Sequence, residues 1–151
     1  DVYKRQDSLK RRLEQIRLLA GPMMGLGDVT NKTVPKMCLV SKPASGGTIN
    51  TRTFIPHRVH EAIGVLGSVS VATASAIPGS VAEQVIGGSL KDGTVSLEVE
   101  HPTGFFTVEL EVSGIDHQET FAVKRAALLR TARLLMRGEV LIPQNDAGTC
   151  V

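Results

Sequence analysis

The stretch AIGVLGSVSVATASAI, Ala62 to Ile77, decides how the rest of the chain is read. It carries no charge and no polar stripe, and Pro78-Gly79 closes it. A helix that is apolar on every side has to be surrounded by protein, and its glycines and serines let neighbouring backbone approach closely. The expectation is a central buried helix. The run falls short of the roughly 18 residues that a membrane span needs.

Working outward, Thr94 to Glu100 and Phe105 to Ser113 alternate cleanly. Val95, Leu97 and Val99, then Phe106, Val108, Leu110 and Val112, share one face, and Glu98, Glu100, Glu109 and Glu111 lie on the other. Joined by His101-Pro102-Thr103-Gly104, they read as a hairpin that covers something with one face and meets water with the other. Upstream, Val34 to Val40 and Thr48 to Ile55 are β-branched runs separated by Pro43 to Gly47, hence two strands and a loop. Ser8 to Ala20 has Leu9, Leu13, Ile16 and Leu19 at helical spacing, and Gly21-Pro22 is expected to stop that helix. At the other end, Ala126 to Met136 has helix-forming composition, yet Arg137-Gly138 before Glu139 to Pro143 looks like a turn into a strand. Periodicity leaves that segment open.

The chain has 151 residues, a net charge of +2 and only 3% aromatic residues, a poor basis for a phosphate-tracking surface with stacking rings, so nucleic acid is not an expected partner. Cys38 and Cys150 are too few and too far apart for a disulfide framework or a zinc ribbon, which fits a reducing compartment. With no apolar leader at the start, the expected address is cytoplasmic, away from membranes. There is no initiator Met, and residues 1–6 read as non-native or read-edge sequence ahead of a natural protein that extends further upstream. The expected organisation is then 7–28 as helix and linker, 29–143 as one domain, and 144–151 as a tail.

Four groups carry possible chemistry. Pro56-His57-Arg58-Val59-His60-Glu61 stands directly ahead of the apolar helix, where unpaired N–H groups and a partial positive charge favour a carboxylate. Plain capping or surface placement of His57 and His60 is about as good a reading of the spacing, and no third ligand is placed for zinc. Arg52, at the end of the preceding strand, can grip a carboxylate through its guanidinium fork or be a surface cation. His101 to Gly104 can offer a hydroxyl and amides to a ligand or be a simple turn. Gly64-x-x-Gly67 suits close packing and is no phosphate loop. Cys38, mid-strand in an apolar run, reads as a small core residue rather than an activated thiol. Lys124, Arg125, Arg130, Arg133 and Arg137 are the natural counterparts of the hairpin's acidic face.

Several strings in order, Leu18 to Val29, Val34-Pro35-Lys36-Met37, Asn50 to His60, His101-Pro102-Thr103-Gly104 and Arg130 to Val140, resemble the C-terminal half of PrpF-type isomerases. Within that family, Phe54-Ile55-Pro56-His57-x-x-His60 is most similar to the 4-oxalomesaconate tautomerase branch. The resemblance implies an α+β, diaminopimelate epimerase-like domain, a curved and mostly antiparallel sheet wrapped around a central buried helix. It also implies strand, turn and strand over Arg130 to Pro143.

For function, the resemblance implies a proton shift in an unsaturated tricarboxylic acid, without cofactor or metal, within aromatic compound degradation. Arg52 would pair with a substrate carboxylate, His57, His60 and Gly64 would line an anion site at the helix mouth, and His101, Thr103 and Gly104 would close over the ligand. No catalytic residue is expected in this chain: the family's Lys and Cys belong to an N-terminal domain, which would be its partner, and a homo-oligomer is a further possibility. The stretch Ile63 to Gly67 has no thiol where diaminopimelate epimerases carry a second catalytic Cys, which points to a one-base shift. The competing reading is a stand-alone, non-catalytic domain that binds a small anion or a protein.

Overall fold

The alternating hairpin forms as expected, inside a single six-stranded sheet. The computed structural model describes residues 2–141 other than 57, 89, 116 and 118. In chain order the elements are α1 (Val2–Met23), β1 (Met37–Ser41), β2 (Ile49–Ile55), β3 (Arg58–Val59), α2 (Val65–Ala76), α3 (Val81–Ile86), β4 (Gly93–His101), β5 (Gly104–Ser113) and β6 (Ala122–Leu128). The strand order is β1-β2-β4-β5-β6, with β3 added to β2. Among the described residues every pairing is antiparallel except β2 with β4, which run parallel through Ile49↔Val99 and Asn50↔Glu100. A parallel pair needs a crossover, and here α2 and α3 provide it.

Register explains where the core sits. Leu97 faces Val108 and Val95 faces Leu110, so the apolar sides of β4 and β5 form one continuous surface. Ile49, Leu97, Val99, Val108, Leu110 and Val112 pack with Val71, Ala72 and Ala76 of α2 in one buried cluster. Apart from Val71, the contact face of α2 consists of small residues, Ser68, Ala72, Ser75 and Ala76, which lets the helix lie close to the strands. Burying serine without a partner is costly. Ser68 and Ser75 avoid this by donating their hydroxyls to Val65 O (2.8 Å) and Val71 O (3.0 Å) of their own helix.

The α+β class and the mostly antiparallel sheet are as expected, and the details differ in four places. The helix begins at Val65 rather than Ala62, and its first turn is not enclosed: Leu66 is 82% exposed. α1 runs through Gly21 and Pro22 before it ends, because Met24 N–H still bonds to Ala20 O (2.9 Å) and the missing Pro22 N–H costs one bond only. β6, Ala-rich and of helix-forming composition, is a strand because β5 offers it an edge, a case of tertiary context overriding propensity. Residues 129–141 form neither the strand–turn–strand nor the helix that the sequence left open. They are irregular, with Leu134, Leu135, Met136, Val140 and Leu141 between 79% and 89% exposed. Either periodicity needs a surface to bury its apolar side, and none of the described elements supplies one.

One buried charge fixes α1. Arg17, fully buried, makes a two-pronged ion pair with Glu14 (2.7 and 2.8 Å) and donates to Lys32 O (3.2 Å) and Val34 O (2.5 Å). Four acceptors surround one guanidinium, and the two backbone carbonyls among them hold the helix to the segment that leads into β1. Of the basic residues expected to answer the acidic hairpin face, Arg125 does so, bonding to Glu109 at 2.7 Å across β5 and β6.

Candidate functional site

Strand alternation divides the candidate residues between two faces. Along β2, Thr51 and Thr53 are buried on the α2 side, and Asn50 and Arg52 point the other way. Two cavities follow from this. On the α2 side, a cavity of about 650 Å³ opens between Cys38, Thr53 and Ile55 of the sheet, His60 and Ile63 of the approach to the helix, and Gly64, Val65, Leu66 and Gly67 at its start. On the opposite side, a smaller cavity of about 250 Å³ is lined by Asn50, Arg52, Glu98, Glu100, His101, Gly104 and the 43–47 loop.

At the larger cavity, helix geometry supplies the polar groups. Gly64 is the N-cap of α2 and has extended backbone and no side-chain cap. The first bond back to it comes from Ser68 N–H (2.9 Å), which leaves the amides of Val65, Leu66 and Gly67 ahead of the intrahelical ladder at the positive end of the helix dipole. A Cβ at Gly64 would meet nothing within 4 Å, so the glycine keeps this mouth open rather than relieving a clash. Cys38 is half-buried here and accepts from Thr53 Oγ1 at 3.5 Å. Burial pushes its thiol up, outweighing that hydrogen bond, so the thiol is held protonated.

His60 is fixed from two sides. Its N–H bonds to Thr53 O (2.8 Å), and its Nδ1 accepts from Ala62 N–H (2.9 Å). It also lines a shallow neighbouring cavity with Arg58, Glu61 and Thr103. Thr103 Oγ1 donates to Glu61 O at 3.0 Å and lies 3.2 Å from His101 Nδ1, which itself accepts from Thr103 N–H at 3.3 Å. The His101 ring stands 5.4 Å from that of Phe106, and the guanidinium of Arg130 lies 5.4 Å from the Phe106 centroid. Partial burial, and secondarily the nearby His60, hold His101 below the usual histidine range.

The expected residues are therefore partly gathered and partly separated. His60 and Gly64 meet at the helix mouth, and Thr103 reaches the same approach segment. Arg52 does not join them. It lies on the far face of β2, because residues next to each other in a strand point to opposite sides, and lines the smaller cavity that His101 and Gly104 also border. His57 lies outside the described residues. Among the described residues, no three His, Cys, Asp or Glu side chains come together to hold a metal ion, and no helix is long and apolar enough to cross a membrane.

Sequence reasoning missed Glu100. It sits on the hairpin face expected to meet water, yet it is buried, and its carboxylate accepts from the amides of Ala44 (2.7 Å), Ser45 (2.8 Å) and Gly47 (2.7 Å). These bonds, Ala44 foremost, hold its pKa below the ordinary glutamate range and fold the 43–47 loop over the smaller cavity. A glycine-rich loop more than fifty residues away was the only signal.

Comparison with known proteins bears on the family and the fold. The sequence profile of the family described as PrpF protein matches residues 4–143. The chain is 51% identical over 148 residues to a 4-oxalomesaconate tautomerase of Pseudomonas putida, covering 98% of this chain and 39% of that protein. It is 50% identical over 147 residues to a (4E)-oxalomesaconate Delta-isomerase of a Novosphingobium species, covering 93% and 39%. The chain thus spans about two fifths of the length of these relatives. Its backbone is similar to the crystal structure of a methylitaconate-delta-isomerase, with a TM-score of 0.61 and 18% identity over 82% of this chain and 36% of that one, a likeness of fold alone.

Proposed function

The chain belongs to the PrpF family, and on that footing we propose that it is the C-terminal, substrate-binding part of an isomerase that shifts a proton in an unsaturated tricarboxylic acid, 4-oxalomesaconate being the preferred substrate. The observation that carries this reading is the open mouth of α2, where three amides ahead of the helical ladder and His60 face one cavity of about 650 Å³.

The chemistry suits such a place. In a keto–enol or allylic shift, a base removes a proton from carbon next to an unsaturated or keto group, and the proton returns at the other end of the conjugated system. Between the two transfers, negative charge spreads onto oxygen atoms. A helix start and an N–H donor at fixed positions stabilise that charge without having to reorganise. The apolar walls, Ile63, Val65 and Leu66 among them, strengthen those interactions by keeping water out once the cavity is covered. In this proposal the base comes from the remainder of a longer protein, and no cofactor or metal takes part.

The test is an assay of the complete parent protein against a panel of unsaturated tricarboxylates. We expect turnover of 4-oxalomesaconate, with His60→Ala raising KM by roughly ten- to a hundredfold, the worth of one hydrogen bond to a charged group. Arg52→Ala is expected to change KM by less than about threefold, because its side chain lies on the other face of the sheet. Failure of the parent protein to consume any member of the panel overturns the reading.

A further inference from the structure

We propose that Thr103 is a positioning residue: its hydroxyl fastens the Glu61 carbonyl, and with it the His60–Ile63 approach to α2, onto the β4–β5 hairpin. This rests on the reading of the α2 mouth as the substrate site and identifies what holds that mouth in place.

Three bonds carry the inference. His60 Nδ1 accepts from Ala62 N–H and His101 Nδ1 accepts from Thr103 N–H, the same bond to the second residue onward made twice. A ring nitrogen that accepts carries no proton, so both imidazoles in this arrangement are neutral Nε2–H tautomers. For His60, the polar group left for a ligand in the cavities that it lines is then Nε2–H, a donor suited to a carboxylate or enolate oxygen. The third bond, Thr103 Oγ1 to Glu61 O, is a side-chain link between the hairpin turn and this approach segment.

The Thr103 hydroxyl has one proton and two acceptors in reach, Glu61 O at 3.0 Å and His101 Nδ1 at 3.2 Å. When His101 is protonated, Nδ1 gives up the bond from Thr103 N–H and donates toward Oγ1, which commits the hydroxyl's own proton to Glu61. The titratable and charged groups around His101 are Arg52, Glu98 and Glu100 in the smaller cavity, His60 across the turn, and Arg130 behind Phe106. Around His60 they are Arg58, Glu61, His101 and, across the larger cavity, Lys36 and the Cys38 thiol. The hydroxyl's bond to Glu61 therefore loses its competitor as His101 takes up its proton, in exchange for the Thr103 N–H bond to the ring.

Nitrogen-15 spectra of the histidine rings and amide hydrogen exchange test this on the chain itself. The wild type should show Nε2–H tautomers at His60 and His101 near neutral pH. Thr103→Val should reduce protection of the Ala62 amide about three- to tenfold, the worth of one modest hydrogen bond, and lower the His101 titration midpoint by removing the Oγ1 acceptor. Thr103→Ser, which keeps the hydroxyl, should restore both. An Nδ1–H tautomer at His101 near neutral pH, unchanged Ala62 protection in Thr103→Val, or no rescue by Thr103→Ser overturns the proposal. None of these measurements needs turnover, so their failure is distinguishable from failure of the isomerase reading, which the parent-protein assay reports.

Discussion

Glu100 shows how much a single side chain can organise. Three amides converge on its carboxylate, and Asp92 does the same on a smaller scale, accepting from Gly114 and Ile115 at 3.0 Å each. In both, backbone hydrogen bonds are the leading cause of a pKa below the ordinary range. The sign follows by linkage: the unfolded chain binds protons at higher pH than the folded one. The stability these groups contribute is complete above their unfolded values, about 3.9 for Asp and 4.3 for Glu, and is lost as pH falls through the lowered folded values. Thermal midpoints recorded downward from neutral pH should fall steeply below about pH 4, and Glu100→Gln should start lower and show a shallower acid limb. A Glu100→Gln profile parallel to that of the wild type would contradict this assignment.

At the scale of elements, the sheet and its helix depend on close packing of small against large. Leu97→Ala, at a fully buried position between β5 and α2, should cost about 2–5 kcal/mol in denaturant unfolding. Arg17→Ala should expose α1 to proteolysis while the spectrum of the sheet persists, because the guanidinium ties that helix to 32–34 rather than to the core. A core collapse in that variant would show that α1 is part of the cooperative unit. The hairpin was legible in the sequence because period-two alternation and burial on one face are the same fact. α2 was legible because no polar stripe means no wet side, although its exposed first turn was not foreseen. β6 and residues 129–141 were not legible, since Ala126 to Met136 favours a helix by composition and only the presence or absence of a neighbouring edge decides the outcome. That the basic run up to His60 stands ahead of an apolar helix could be read, but the place of the mouth could not, since the helix was expected from Ala62 and Gly64 was taken as a packing residue within it. The placement of Arg52 could not, because it depends on which side of β2 the helix occupies, and the local sequence does not state that side.

For the molecule as a whole, Leu66, Leu134, Leu135, Met136, Val140 and Leu141 are large apolar side chains left in water. Exposed apolar surface on this scale promotes association. Sedimentation should show oligomers that grow with concentration, and Leu135→Glu combined with Met136→Glu should shift the distribution toward monomer. A chain that stays monomeric at high concentration would remove this expectation. The isolated chain should also leave 4-oxalomesaconate unchanged, since the proposed base lies elsewhere. Measurable turnover by the 151-residue protein would place the base within it.

The parallel contact of β2 with β4 has a kinetic consequence. Only Ile49↔Val99 and Asn50↔Glu100 join the two strands in register, braced by Thr48 N–H to Glu98 O (2.8 Å) and Thr51 Oγ1 to Glu100 O (2.6 Å). Those partners are about fifty residues apart in sequence, whereas each antiparallel ribbon closes over a much shorter loop. Long loops cost more entropy to close, so this seam should zip after the rate-limiting barrier. Thr51→Val should therefore accelerate unfolding and leave the refolding rate nearly as it was, giving a φ-value near zero, whereas Leu97→Ala should slow refolding.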